Sequence, residues 1–183
     1  MSVLGWRQWA VDRAGLLRPA WTPWSPHPPE LMLWRPDGVT RARCLRGPHE
    51  QPASAEAEAA EACETAAAGA TGSAGATGPS GETGFGGRLP EAGCACGLYA
   101  WRSPAELAAA PHPRWTSLPI VVGVARLGGR IIVGERGYRA ELGYPVAVLD
   151  PTGVVAAVYQ LARYRDRRAL VAEWHPDASP EAA

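Results

Sequence analysis

The stretch that decides the fold runs from Pro119 to Leu142, PIVVGVARLGGRIIVGERGYRAEL. Its first part, Pro119 to Arg126, is rich in β-branched residues, which suit a pleated and half-buried surface, and so predicts a strand. Leu127-Gly-Gly-Arg130 predicts a two-residue hairpin turn, with glycine supplying the positive φ angles, and Ile131 to Glu135 predicts the returning strand. Arg136-Gly137 then predicts a second turn leading into a strand from Tyr138 to Leu142. The expectation is a meander of three antiparallel strands.

On the C-terminal side, Asp150-Pro151 has the form of a helix start. Val154, Val155, Val158, Leu161 and Ala162 recur at helical spacing, so a helix is expected there. Ala169 to Trp174 fits either a strand or a second helix, and residues 176–183 read as a flexible tail. On the N-terminal side, Cys96 to Trp101 predicts a strand. Ser103-Pro-Ala-Glu106 follows as a capping box with proline at the first helical position, predicting a short helix over 104–110.

Five tryptophans (Trp6, Trp9, Trp21, Trp24 and Trp34) crowd the first 34 residues, and prolines 19, 23, 26, 28 and 29 exclude a long helix among them. Short strands over Trp6–Val11 and Val39–Cys44 are expected. The aromatics suit two roles, the filling of a small β core or a surface on which a ligand stacks. Together these elements predict an α+β fold, a small antiparallel β-barrel or half-barrel with one or two helices.

One segment breaks the pattern. Residues 53–87 are an Ala/Gly/Glu-rich, low-complexity stretch whose scarcity of large apolar side chains predicts a long disordered insertion. The expected organisation is therefore a single domain made of 1–52 and 88–175, with 53–87 looping out and 176–183 trailing.

The chain has 183 residues, 18 arginines, no lysine and 18 acidic residues, and its net charge of zero conceals a partition. Residues 1–52 carry +3, 53–97 carry −5, 98–173 carry +4 and 174–183 carry −2. Without the insertion the folded part is basic, about +7, which favours polyanions by long-range attraction; arginine serving simply as the solubilising cation accounts for the same numbers. The N-terminus MSVLGWRQWAVDRAG lacks a basic region followed by an apolar one, and no apolar run approaches a membrane span. A cytoplasmic protein with no membrane contact is expected. In that compartment thiols stay reduced, so cysteines read as ligands or reactive groups before they read as disulfides.

Cys44-Leu-Arg-Gly-Pro-His49 lies before the insertion and Cys94-Ala-Cys96-Gly97 after it. Three thiolates and one imidazole satisfy tetrahedral Zn(II), so Cys44, His49, Cys94 and Cys96 are the candidate ligands and zinc the candidate cofactor. Gly97 relieves the backbone beside the pair, and Cys63, inside the insertion, is the odd cysteine. Stretching the connection eightfold costs only about 2 kcal/mol of loop-closure entropy. That is small against the roughly 10–16 kcal/mol with which structural zinc binds small domains. Two other readings of the same thiols stay open: a buried structural pair, and a nucleophile at Cys94 or Cys96 served by His49, His112 or His175.

The sequence holds no P-loop, no G-x-G-x-x-G opening a helix, no H-E-x-x-H and no G-x-S-x-G. Glu135 and Glu141 read as a solvated hairpin edge.

The set Cys44…His49…Pro52, Cys94-Ala-Cys96-Gly97-Leu98-Tyr99-Ala100 and Gly137-Tyr-Arg-Ala-Glu141 resembles a pattern in small uncharacterised proteins of GC-rich bacteria. The resemblance implies a discrete single domain and no mechanism. The strand-rich layout with an aromatic N-terminal part is also weakly similar to PUA-like or EVE-type barrels, which hold a base in an aromatic pocket. That similarity implies stacking by Trp6, Trp9, Trp34 and Tyr99, with phosphate contacts from Arg126, Arg130, Arg136 and Arg139.

The leading expectation is a non-enzymatic, zinc-stabilised binding module whose basic hairpin surface meets nucleic acid or a protein. The alternatives are a thiol-dependent hydrolase or redox enzyme using Cys94 or Cys96, and a metal-free protein-interaction domain. The sequence leaves the partner and the oligomeric state undetermined.

Overall fold

The computed structural model describes residues 2–20, 32–44, 89–112 and 117–175. The expected insertion 53–87 and tail 176–183 lie outside the described residues, as do His49, Cys63, Trp21 and Trp24. Seven strands form one sheet: β1 (Val3–Val11), β2 (Leu17–Pro19), β3 (Thr40–Arg41), β4 (Leu98–Trp101), β5 (Ile120–Val133), β6 (Gly137–Leu149) and β7 (Ala162–Tyr164). Two helices accompany them among the described residues, α1 (Pro104–Ala109) and α2 (Arg167–Trp174). Every pairing is antiparallel except that of β7 with β6.

The α+β expectation holds, but the sheet is not a clear barrel. β5 pairs along β1 and β6, and β4 pairs along β6, yet β4 meets β1 only at Trp6 and Trp101. A single pair is too little hydrogen bonding to close a barrel wall.

The three-strand meander is in fact two long strands. No turn forms at Gly128-Gly129. β5 continues through it with a bulge between Gly128 and Ile131, and the hairpin turns instead at Gly134 to Arg136. The positive φ of Gly129, +67°, is spent on the bulge, where the Arg130 N–H donates to Glu141 Oε2 at 3.2 Å. β6 likewise runs on past Pro145, which sits opposite Ala125 at a second register shift. A proline inside a strand is tolerated at such an irregularity because the ladder hydrogen bond it cannot donate is already lost there.

The helix expected from Asp150 onward is replaced by a loop. The buried Asp150 carboxylate accepts the N–H groups of Val154 and Val155 at 2.9 and 3.0 Å and an Arg163 Nη1–H at 3.2 Å. These bonds curl the backbone into a turn in place of helical pairing. Val155 is then buried while Val158 is 54% exposed, so the valines that share helical spacing do not share a face. Ala169 to Trp174, ambiguous in sequence, belongs to α2, capped by Asp166 through its bond from the Ala169 N–H. The short helix α1 forms as read, with the Ser103 hydroxyl accepting from the Glu106 N–H.

Strand alternation sends side chains to both faces of the sheet, and both are covered. One apolar cluster gathers Trp6, Val124 and Ala147 under Leu107 of α1 and Leu170 and Val171 of α2. The other gathers Trp9, Trp34, Leu17, Leu127 and Tyr159. Trp34 meets Trp9 edge to face, 5.4 Å between ring centroids. Tyr159 ties this second cluster together, its hydroxyl donating to the Trp34 carbonyl at 2.6 Å and accepting from the Leu17 N–H at 2.9 Å.

Candidate metal centre

Two strand ends converge at one edge of the sheet. β3 lies against β6 with Thr40 opposite Gly143 and Arg41 opposite Leu142, and the Ala42 N–H extends the ladder to the Glu141 carbonyl at 2.7 Å. Arg41 Nη1 also binds Glu141 Oε1 at 2.6 Å. Glu141, which reads in sequence as a solvated edge residue, therefore secures the short strand that delivers Cys44. Among the described residues this is the positioning group that sequence reasoning missed. Its only signal is its place opposite Gly129, visible once the register is known.

Cys94 and Cys96 arrive from the other side, in a turn closed by the Cys94 N–H donating to the Glu91 carbonyl at 3.2 Å and leading into β4. Two side chains pin the carbonyls of this turn. Arg139 Nη1 donates to the Cys94 carbonyl, and the Tyr99 hydroxyl donates to the Ala95 carbonyl at 2.7 Å. Gly97, at φ +126°, is required twice over. Its backbone lies in a region that side chains rarely adopt, and a Cβ there would stand 2.6 Å from Arg139 Cγ and 3.0 Å from Pro90 Cβ.

The three sulfurs meet. Cys44 Sγ and Cys94 Sγ are 3.7 Å apart, and the sulfurs of Cys44, Cys94 and Cys96 all lie within 4.8 Å of one another. All three cysteines are free. Thiolates on tetrahedral zinc, with bonds near 2.3 Å, stand about 3.8 Å from each other, whereas a disulfide brings its sulfurs to about 2.05 Å. The observed spacing matches the first and is far from the second. Cys96 is buried and the other two are half-buried. Burial, with the neighbouring Cys94 and Cys44 thiols adding to it, pushes the Cys96 thiol up from its ordinary value. Without a metal that thiol holds its proton, and an arriving cation must displace it.

Of the expected ligands, Cys44, Cys94 and Cys96 are brought together, and His49 lies outside the described residues. His112 and His175 do not belong to the group. His112 is exposed just beyond α1, and His175 lies beside Trp6, ring centroids 6.5 Å apart.

The residues read as a stacking and phosphate surface are dispersed. Trp6 and Trp9 are core side chains, one in each apolar cluster. Trp34 is buried but forms part of the wall of a cavity beside the cysteines, and Tyr99 is 49% exposed at the same place. Arg136 stacks on Trp101 at 5.0 Å near the hairpin tip, Arg130 is exposed, Arg126 is half-buried, and Arg139 is engaged with Cys94.

Comparisons with protein-family models, with curated protein sequences and with solved structures return no match to this chain. Among the described residues no helix is long and apolar enough to cross a membrane. The arrangement itself supports one chemical statement: three cysteines from two distant segments can hold a metal ion.

Proposed function

We propose that this protein is a zinc-stabilised binding module that carries out no reaction of its own. The observation behind the proposal is the sulfur triangle, 3.7 Å on its Cys44–Cys94 edge. Three soft ligands within 4.8 Å of one another suit zinc better than the oxygen-seeking divalent cations. His49, five residues after Cys44, completes the set as the fourth ligand. Such a site joins the strand end at Cys44 to the turn before β4, two segments whose strands do not pair with each other, which is the task of a structural zinc ion.

Elemental analysis of protein purified without a metal-affinity tag tests this directly. One equivalent of zinc is expected in the natural chain, and Cys96→Ser should lower it to near zero. A Cys96→Ser protein that keeps its full equivalent would refute the ligand set.

The partner we assign to the module is nucleic acid, met by the arginines of the hairpin. Arg130 and Arg136 are exposed, Arg126 lies on the same long strand as Arg130, and Tyr99 offers an open ring. Fluorescence polarisation with single-stranded oligonucleotides across a salt series is the measurement. Neutralising three phosphates should weaken binding roughly 20- to 50-fold between 50 and 200 mM salt. Affinity indifferent to salt would leave a protein partner as the occupant of this surface.

A further inference from the structure

We propose that the cavity beside the cysteine cluster binds a small organic anion, a carboxylate or phosphate carried on an apolar or aromatic body, and that Arg7 is its anchor. This goes beyond the binding-module reading and does not require it, because the anchor stands on β1 and not on the metal segments.

The cavity measures about 880 Å³, within the roughly 300–1,000 Å³ usual for small-molecule sites. Much of its wall is apolar, with Trp34, Leu98 and Tyr138 among the contributors. Apart from the cysteines of the proposed metal centre, its ionisable lining is basic: four arginines contribute and, among the described lining residues, no aspartate or glutamate does. Arg41 is paired with Glu141, and Arg139 is bound to the Cys94 carbonyl.

Arg7 differs from both. Its Nη1 donates to the Tyr99 carbonyl and its guanidinium lies over the Trp34 ring, 4.9 Å from the centroid. Its Nε is buried with no hydrogen-bond partner among the described residues. A guanidinium that lines a cavity and has no carboxylate beside it is open to an anion that enters there. Burial lowers the Arg7 guanidinium to about 10, a sign of a cation poorly solvated where it stands. The residue is half-buried, and no carboxylate among the described residues pairs with it. Arg7 is held in place by strand pairing, since its neighbours along β1 bond to β5 throughout and Trp6 meets β4. A fixed guanidinium that lines an apolar cavity with no carboxylate partner among the described residues is a preorganised anion site.

Thermal-shift and calorimetric titrations of the full chain with matched probes test this: benzoate against benzyl alcohol, and adenosine monophosphate against adenosine. The charged member of at least one pair should raise the melting temperature saturably and its neutral partner should not. Whichever pair responds identifies carboxylate or phosphate as the natural group. The response should vanish in Arg7→Met and persist in Arg168→Gln, an exposed side chain on α2 that does not line the cavity. Should Arg7→Met fail to fold, Arg7→Lys keeps the charge but loses the planar fork of donors, and at least a roughly tenfold weaker affinity is expected. Flat titrations with both charged probes at millimolar concentration, or a response that Arg7→Met or Arg7→Lys leaves unchanged, overturn the assignment. Zinc content measured on the same samples keeps the two readings apart. Anion binding without zinc would sink only the metal reading, and zinc without anion binding only this one.

Discussion

The β5–β6 hairpin and the cysteine centre reach their geometry by opposite routes. In the hairpin, strands of 14 and 13 residues follow each other across a short turn and align from Val122 opposite Leu149 to Val133 opposite Tyr138. Each pair formed brings the next within reach, and the alternating side chains fill both apolar clusters. At the cysteine centre, Cys44 and Cys94 stand fifty positions apart, and the strand that carries Cys44 toward the site has only two residues. Local pairing supports the first region. The second depends on a few side-chain bonds, from Glu141, Arg139 and Tyr99, and, on the proposed reading, on an ion shared by the sulfurs. The difference between them is that one part of this fold should form on its own, while the other has three sulfurs placed where a ligand could finish it.

The largest effect should come from removing buried volume in the hairpin. Leu127 is fully buried among Trp9, Ala125 and Ala140. Leu127→Ala should cost about 2–5 kcal/mol in denaturant unfolding, the range for a core leucine whose cavity closes only partly. The folded fraction should still carry its zinc. A loss under about 1 kcal/mol would mean that the two regions share the stability more evenly than their construction implies.

The same contrast explains what could be read from the chain beforehand. Strand content from Ile120 to Leu142 and the capped helix after Ser103 rest on short-range chemistry and were legible; so was the convergence of Cys44, Cys94 and Cys96, which rests on shared ligand chemistry across fifty positions. The turn at Gly128-Gly129 was misplaced because positive-φ glycine serves a bulge as well as a hairpin. Only Glu141, across the sheet, decides between them. The helix at Val154 to Ala162 was misread because periodicity is blind to Asp150, whose carboxylate captures the two N–H groups that a helix start would leave free. Trp6, Trp9 and Trp34 fill the core, one of the two roles the sequence offered them, and Trp21 and Trp24 lie outside the described residues. Arg7 gave no signal at all, since an arginine between two core tryptophans in a strand looks like an ordinary outward-facing position until the cavity beside it is seen. Pair chemistry between distant segments is written in the sequence only where the residue types are rare, as cysteines are here.

A smaller and more local change would sharpen the comparison from the other side. Gly97→Ala puts a methyl group 2.6 Å from Arg139 Cγ and leaves an L-residue at φ +126°. The strain, on the order of 1–3 kcal/mol, can be relieved only by moving the turn or Arg139. Either movement disturbs the bond from Arg139 to the Cys94 carbonyl and with it the position of two of the three sulfurs. Zinc affinity, read by competition with a chromophoric chelator, should fall roughly 5- to 100-fold if most of that strain is released when the metal leaves. Hydrogen exchange should meanwhile show the amides of residues 121–127 and 143–149 protected as before, because nothing in that ladder rests on the cysteine turn. Unchanged zinc affinity would mean that the turn yields without cost, and that the metal alone shapes it. Loss of protection across β5 and β6 would mean that the centre supports the hairpin after all, reversing the order of dependence between the two regions.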